Sequence, residues 1–185
     1  MFTIGIDLDN TFWNLGETAL QILNEKHKRN CSFENLYSYD VSMAHPDFRN
    51  EDMNEIYLEA SKSCKPYKYA IETVKYFMKQ KEVDVFFVTS STPEEVIVKN
   101  ERLHKMFEQY NYHNLIVMQH KELLNVDVMI DDLYRNLTNP HLKLGILYSQ
   151  PYNLNDIPIN NHKVKRVYEW STMQHYLNKQ LFNIF

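Results

Sequence analysis

Short apolar runs that stop at a polar residue, with helix-like segments between them, constrain this chain more than any other feature. Residues 2–6 end at Asp7, residues 83–88 at Thr89 and residues 126–130 at Asp131; residues 115–118, 144–148 and 164–168 continue the series. Runs this short and this uniformly apolar read as strands buried on both faces. Between them, residues 69–80 carry Ile71, Val74, Phe77 and Met78 as one apolar stripe. A helix opening at Pro93, with Glu94 and Glu95 at its positive end, runs to about Tyr110, and a last helix covers residues 171–181. Strands alternating with helices in this way predict an α/β fold with a Rossmann-like parallel sheet covered on both faces.

The stretch 13–65 breaks that rhythm. It predicts two helices, at 18–29 and 50–63, around an irregular, aromatic segment at 31–48 in which Pro46 forbids a continuous helix. Its place directly after the first strand predicts a small inserted helical cap (13–65) on a core made of 1–12 and 66–185. A long loop is expected at 149–161, of the kind that often carries function in a compact domain.

The 185 residues suffice for one domain with such an insertion. A net charge of −4 argues against a general nucleic-acid binder, so no stable nucleic-acid complex is expected, although a pocket of local positive charge can still take a nucleotide. The two cysteines, Cys31 and Cys64, lie too far apart to suggest a zinc site and read as reduced thiols. No secretory signal and no membrane-length apolar run is visible, and a cytoplasmic protein is expected. A homodimer is compatible with the sequence, which does not set the oligomeric state.

The polar residues at the strand ends are where chemistry is expected, because open α/β sheets bind ligands outside the carboxyl ends of their strands. Asp7 and Asp9, two apart after the first strand, point to the same side of an extended segment. Carboxylates held that close repel unless one is protonated or a cation intervenes. Such a pair suits phosphoryl transfer, one attacking phosphorus and the other exchanging protons with the leaving oxygen and water; acidic turns after strands are also common without any function. The acid pair Asp131-Asp132 could help Asp7 hold Mg²⁺, a hard cation that prefers oxygen; Asp132 also suits a helix cap, and Asp131, nearer the strand end, is the better ligand. Thr89, Ser90 and Ser91 before a helix form a natural anion site. Lys121, ahead of the strand ending at Asp131, would offset the charge of Asp7 and a phosphate. Its rival, Lys99, lies well inside the predicted helix and further from the rim.

In order, Asp7-Leu8-Asp9-Asn10-Thr11, Thr89, Lys121 and Asp131-Asp132 resemble the motif series of the haloacid dehalogenase-like superfamily. Val-Thr-Ser-Ser at 88–91, Ile-Asp-Asp at 130–132, Gly-Ile-Leu-Tyr-Ser-Gln-Pro-Tyr-Asn at 145–153 and Arg-Val-Tyr-Glu-Trp at 166–170 resemble more closely the 5′(3′)-deoxyribonucleotidases, including bacterial and phage members. The resemblance runs through the core and is vaguest in the cap. It implies Asp7 as nucleophile and Asp9 as general acid and base, with Thr89, Lys121 and Ser90 on the phosphate. It further implies Mg²⁺ on Asp7, Asp131 and the backbone carbonyl of Asp9, with Asp132 supporting them from behind.

Asn10 departs from the glycine common at that place in the family, and asparagine tolerates the left-handed turn that position needs. Phe12, Trp13, Tyr39, Phe48 and Tyr67 are the aromatic candidates for stacking on a base, although rings at these spacings equally fill a cap core. The substrate class implied is a (deoxy)ribonucleoside monophosphate. A 3′-phosphatase acting on nucleic-acid ends, a small-metabolite phosphatase and a non-enzymatic binding module are the rival readings, the last because fold alone never proves activity.

Overall fold

In a computed structural model, described for residues 1–156 and 163–182, the strands are β1 (Phe2–Asp7), β2 (Val83–Thr89), β3 (Leu115–Val117), β4 (Val128–Asp131), β5 (Leu144–Tyr148) and β6 (Val164–Val167). They form one parallel sheet in the order β3-β2-β1-β4-β5-β6. The helices are α1 (Leu15–His27), α2 (Met53–Ser63), α3 (Ala70–Met78), α4 (Pro93–Met106) and α5 (Trp170–Phe182). The expected α/β architecture and its strands are all present, shifted by a residue or two at the ends. The helix after Pro93 stops at Met106 rather than near Tyr110, since Phe107 turns to an extended conformation.

The strand order places the functional rim. With β1 in the centre, the chain runs outward through β2 and β3, then returns to the other side of β1 for β4, β5 and β6. The crevice at such a reversal opens at the carboxyl ends of the adjacent strands. Asp7 ends β1 and Asp131 ends β4, one on each side of it, while Thr89 ends β2.

Sequence dictates this locally. Ile4, Ile6, Val128, Ile130 and Ile146 are all but fully buried in the sheet, each burial contributing about 1.5–3 kcal/mol. Thr92 caps α4 by accepting from the Glu95 N–H at 3.4 Å, and Pro93 takes the first helical position, where no N–H is needed. Asp52 caps α2 in the same way, accepting from the Asn54 N–H at 3.0 Å.

The expected irregular stretch 31–48 contains short 3₁₀ turns at Phe33–Asn35, Val41–Ala44 and Pro46–Asn50, the last opened by Pro46. α1 packs on α2, and α2 on α4. The two ends of the stretch 13–65 are joined along one clasp: the Asn14 N–H donates to the Lys65 carbonyl (2.9 Å), the Lys65 N–H to Asn14 Oδ1 (2.7 Å) and the Tyr67 N–H to the Phe12 carbonyl (2.9 Å). Arg102 of α4 clamps it, bonding the carbonyls of Ser61 and Cys64 while its guanidinium lies 4.6 Å from the Trp13 ring centre.

Cys31 and Cys64 are free thiols, as expected. Of the predicted long loop, Pro151–Asn153 is a 3₁₀ turn, and residues 157–161 lie outside the described residues. Among the described residues no helix is long and apolar enough to cross a membrane.

Candidate active site

Asp7, Asp131 and Asp132 converge at the reversal of the sheet. One carboxylate oxygen from each lies within 4.8 Å of the other two, and all three residues are buried. Lys121, on a 3₁₀ turn between β3 and β4, donates to Asp7 Oδ1 and stands 3.6 Å from Asp131 Oδ2. Asp131 is further held by both its oxygens on Asn136 Nδ2 (3.0 Å each) and by the Leu133 N–H (2.8 Å). Asp132 accepts from the Thr11 hydroxyl (3.3 Å) and from the Tyr152 hydroxyl.

Three carboxyls around one amine leave the pocket short of positive charge. Burial pushes the Asp7 carboxyl well above the usual range; Lys121 opposes the shift, and the neighbouring acids add to it. Burial and the Asp131 charge push Asp132 up to about 7, against the Tyr152 hydroxyl and Lys121. For Lys121, burial alone would lower the ammonium, but Asp7 and Asp131 outweigh it and hold the amine charged.

Asp9 has a different set of partners. Burial would raise its carboxyl, yet Lys99 overrides that and holds it below the usual range. The Lys99 ammonium, wholly buried on α4, donates to both Asp9 oxygens at 2.7 Å, to Thr89 Oγ1 at 3.4 Å and to Ser91 Oγ. Thr89 Oγ1 donates to Asp9 Oδ2 at 3.1 Å, and the Trp13 indole N–H to Asp9 Oδ1 at 3.2 Å.

The loop that carries Asp9 is set by Asn10, which adopts the left-handed conformation (φ 59°) anticipated for it. Asn10 Oδ1 accepts from the Gly16 N–H at 2.6 Å and so satisfies the start of α1, a task the residue at the N-cap, Asn14, leaves undone.

Several expectations need correction. Lys99, expected to lie further from the rim, reaches it, because α4 starts directly behind Thr89 and the long side chain carries the amine back to Asp9 and Thr89. Thr89 is fully buried and its hydroxyl is committed to Asp9 and Ser91, so the free hydroxyl at this strand end is that of exposed Ser90. Phe12, Trp13 and Phe48 have no exposed surface and offer no face to a base. Phe12 packs edge-on against Trp13, Phe87 and Trp170, Trp13 lies under Arg102, and Phe48 sits between His27 and His45.

Tyr67 is tied through its hydroxyl to Gln150 Nε2 (2.8 Å) and lines a separate cavity of about 260 Å³ with Glu17 and Phe33. Tyr39 alone of the five opens beside the site. It lines a cavity of about 240 Å³ with Asp9, Asn10, Asn54, Tyr57, Ser90 and Ser91. It also borders a neighbouring one of about 600 Å³ with Ser90, Gln119, His120 and Arg135.

The family model described as 5′ nucleotidase, deoxy (pyrimidine), cytosolic type C protein (NT5C) matches residues 1–181. Curated relatives named 5′(3′)-deoxyribonucleotidase, from Bacillus subtilis and from Bacillus phage SPbeta, are each 21% identical over 171 residues, 92% of this chain and 95% of theirs. Among solved structures, a haloacid dehalogenase-family hydrolase from Deinococcus radiodurans, holding phosphate and sodium, superposes with a TM-score of 0.59 at 14% identity, covering 98% of this chain and 95% of that one. With the match running through the sheet, the acid cluster and the closing segments alike, the chain belongs to the cytosolic type C family of 5′ deoxynucleotidases.

Proposed function

We propose that the protein is a Mg²⁺-dependent phosphatase that hydrolyses (deoxy)ribonucleoside monophosphates through an aspartyl phosphate on Asp7. The observation that carries this reading is the buried cluster of Asp7, Asp131 and Asp132 around Lys121, at the sheet reversal and next to a cavity walled by Asp9 and Ser90. The relatives' names, deoxyribonucleotidase in two bacterial and phage proteins, support the substrate class.

The donors suit a hard divalent cation. They are all oxygens, they are buried, and their combined negative charge exceeds what Lys121 offsets, which is why burial drives Asp7 and Asp132 toward the neutral form. Asp7, Asp131 and Asp132, with the backbone carbonyl of Asp9, would hold Mg²⁺, which when bound supplies positive charge against the phosphate oxygens.

The chain's own groups supply the rest. Lys121 faces the phosphate together with Asp7 and offsets the charge that builds as the Asp7 carboxylate attacks. Ser90, exposed at the end of β2 and shared by both cavities, donates to a phosphate oxygen. Asp9 exchanges the proton with the leaving oxygen and then with water.

In this reading residues 13–65 form a cap on a core of 1–12 and 66–185, and the cap provides Tyr39, Asn54 and Tyr57 to the nucleoside side of the cavity. The two cavities that meet at Tyr39 and Ser90 provide the space a nucleotide needs, within the range of about 300–1,000 Å³ typical of small-molecule sites. A cytoplasmic location goes with a nucleotide substrate.

The test is phosphate release from a panel of deoxy- and ribonucleoside monophosphates, sugar phosphates and a 3′-phosphorylated oligonucleotide, in Mg²⁺ and in EDTA. Metal-dependent release that favours mononucleotides is the expected result. Release from sugar phosphates or the oligonucleotide alone would overturn the substrate, and no release from any ester would overturn the reaction.

A further inference from the structure

Lys99 lies outside the family's motif series and is the most deeply buried cation in contact with the site. Its side chain has no exposed surface and its amine is already surrounded by protein oxygens, so it acts through the groups it holds. Those groups are specific. Both Asp9 oxygens sit 2.7 Å from the amine, with Ser91 Oγ and Thr89 Oγ1 on its other sides and Glu95, one helical turn back, at 3.3 Å.

The Asp9 side chain is on a loop and has no strand or helix of its own to orient it. Its carboxylate is fixed from β2 by Thr89, from α4 by Lys99 and from the loop by the Trp13 indole. What exposure it keeps, 24% of the side chain, belongs to a residue that lines the cavity shared with Tyr39, Asn54 and Tyr57.

We infer that Lys99 is a positioning residue: its buried ammonium aims the Asp9 carboxyl at the oxygen that leaves phosphorus. This rests on the phosphatase reading above. In the first half-reaction Asp7 bonds to phosphorus as the bond to the nucleoside oxygen breaks. The electron pair stays on that oxygen, which takes a proton from Asp9, the proton that the bound ester's phosphate monoanion has first passed to the ionised carboxylate. In the second half, Asp9 takes a proton from water as the water oxygen bonds to phosphorus and the Asp7–phosphorus bond breaks, which releases phosphate and restores Asp7. A proton moves at Asp9 in both halves, and a carboxyl turned away from the cavity serves neither.

A purely structural ion pair and a positioning residue differ in how the loss depends on the leaving group. A nucleoside alkoxide needs the proton, whereas p-nitrophenolate leaves without one. Rapid-mixing measurements of the first turnover in Mg²⁺ would compare wild type, Lys99→Met, Asp9→Asn and the double variant on a deoxynucleoside monophosphate and on p-nitrophenyl phosphate.

Lys99→Met is expected to slow the nucleotide by about 100-fold, the lower end of what general acid–base catalysis provides, and to slow the first p-nitrophenol release far less. In the Asp9→Asn background the same substitution should cost nothing further, since its effect runs through Asp9. Equal losses on both esters, or losses that multiply in the double variant, would overturn the inference while leaving the phosphatase reading in place. A wild type inactive on both esters would overturn that reading, and this inference with it. If Lys99→Met does not fold, Lys99→Met with Glu95→Gln, which also removes the partner acid, carries the same comparison.

Discussion

Replacing Asp132 by Asn in the metal-free protein isolates a pH-linked instability that the acid cluster builds into the fold. Burial and the neighbouring Asp131 charge raise the Asp132 carboxyl from its ordinary 3.8 to about 7. A carboxyl raised on folding binds its proton more tightly in the folded state. The stability it contributes is therefore complete below the unfolded value near 4, and is lost as pH rises through the folded value near 7. From about pH 5 to about pH 8 the folded group passes its midpoint, and roughly two units of linkage, each worth about 1.4 kcal/mol, remove about 3 kcal/mol.

Asn at this position keeps the shape and never ionises, so the variant should escape that loss. For a chain of this size each kcal/mol moves the melting temperature by about 2–4 °C, which makes the difference readily measurable. The assay is urea or thermal unfolding in EDTA at intervals between those pH values, read as wild type minus variant so that titrations elsewhere cancel.

Mg²⁺ should reverse the trend in the wild type, because the cation takes the place of the proton. At about 100 times its dissociation constant it returns about 2.7 kcal/mol. A difference between wild type and Asp132→Asn that stays flat across this pH range in EDTA would refute the reasoning. So would Mg²⁺ stabilising both proteins equally at the alkaline end.

Much of this site was legible in the chain because strands are. An apolar run ending at a carboxylate fixes where that carboxylate emerges, and strand order alone then brings Asp7 and Asp131 side by side. Lys121 was legible for a related reason: it follows the carboxyl end of β3 by a few residues, and that end lies on the same rim as Asp7 and Asp131.

Lys99 was not, because its place along the chain lies away from the rim and only the reach of its side chain brings the amine back to it. A signal did exist. Glu95, Lys99 and Leu103 repeat every four residues and form the buried face of α4, so two charged residues occupy positions that an amphipathic helix gives to apolar ones. A charge on a buried stripe implies partner charges, here Glu95 one turn back and Asp9 across the rim.

The aromatic residues show the opposite failure. Composition cannot separate a ring that meets a ligand from one that fills a core, and these three fill it: Phe12 packs among Phe87, Phe107 and Trp170, Trp13 lies under Arg102, and Phe48 sits between His27 and His45. The deviation to Ser90 from Thr89 has the same origin. Neighbouring hydroxyls on a strand end alternate in direction, and only the structure shows which of them is free.

The remaining predictions concern the nucleophile, a strand latch and the loop that carries Asp9. Asp7→Asn should lower turnover by as much as about 10⁶-fold, the scale on which enzymes lose activity without their nucleophile. Its melting temperature in EDTA should stay near the wild-type value, since neutralising one of three clustered acids relieves repulsion; phosphate release and thermal unfolding on the same preparation check both. Asp127 joins β1 to β4, accepting from the Thr3 N–H (2.8 Å) and hydroxyl (3.0 Å) and from Lys143 (2.8 Å). Burial raises its carboxyl, but Lys143 and Thr3 outweigh that and hold it low. Its contribution, about 1 kcal/mol in salt, is therefore present above pH 4 or so and fades as pH falls through the folded value, a loss that Asp127→Asn should not show in acid unfolding. Gly16→Ala tests whether Asn10 shapes the turn after Asp9. A Cβ at Gly16 would lie 2.8 Å from Asn10 Oδ1 and 3.0 Å from its Nδ2, and the short bond between that Oδ1 and the Gly16 N–H leaves the amide no room to withdraw. Overpacking of this kind costs about 1–3 kcal/mol, here at the loop that aims Asp9, so turnover should fall along with stability. Asn10→Gly removes the obstructing amide and suits the positive φ of that position, so the double variant should regain stability over Gly16→Ala alone despite the lost cap. A double variant no more stable than Gly16→Ala would mean that the strain is relieved elsewhere and that Asn10 does not hold the turn.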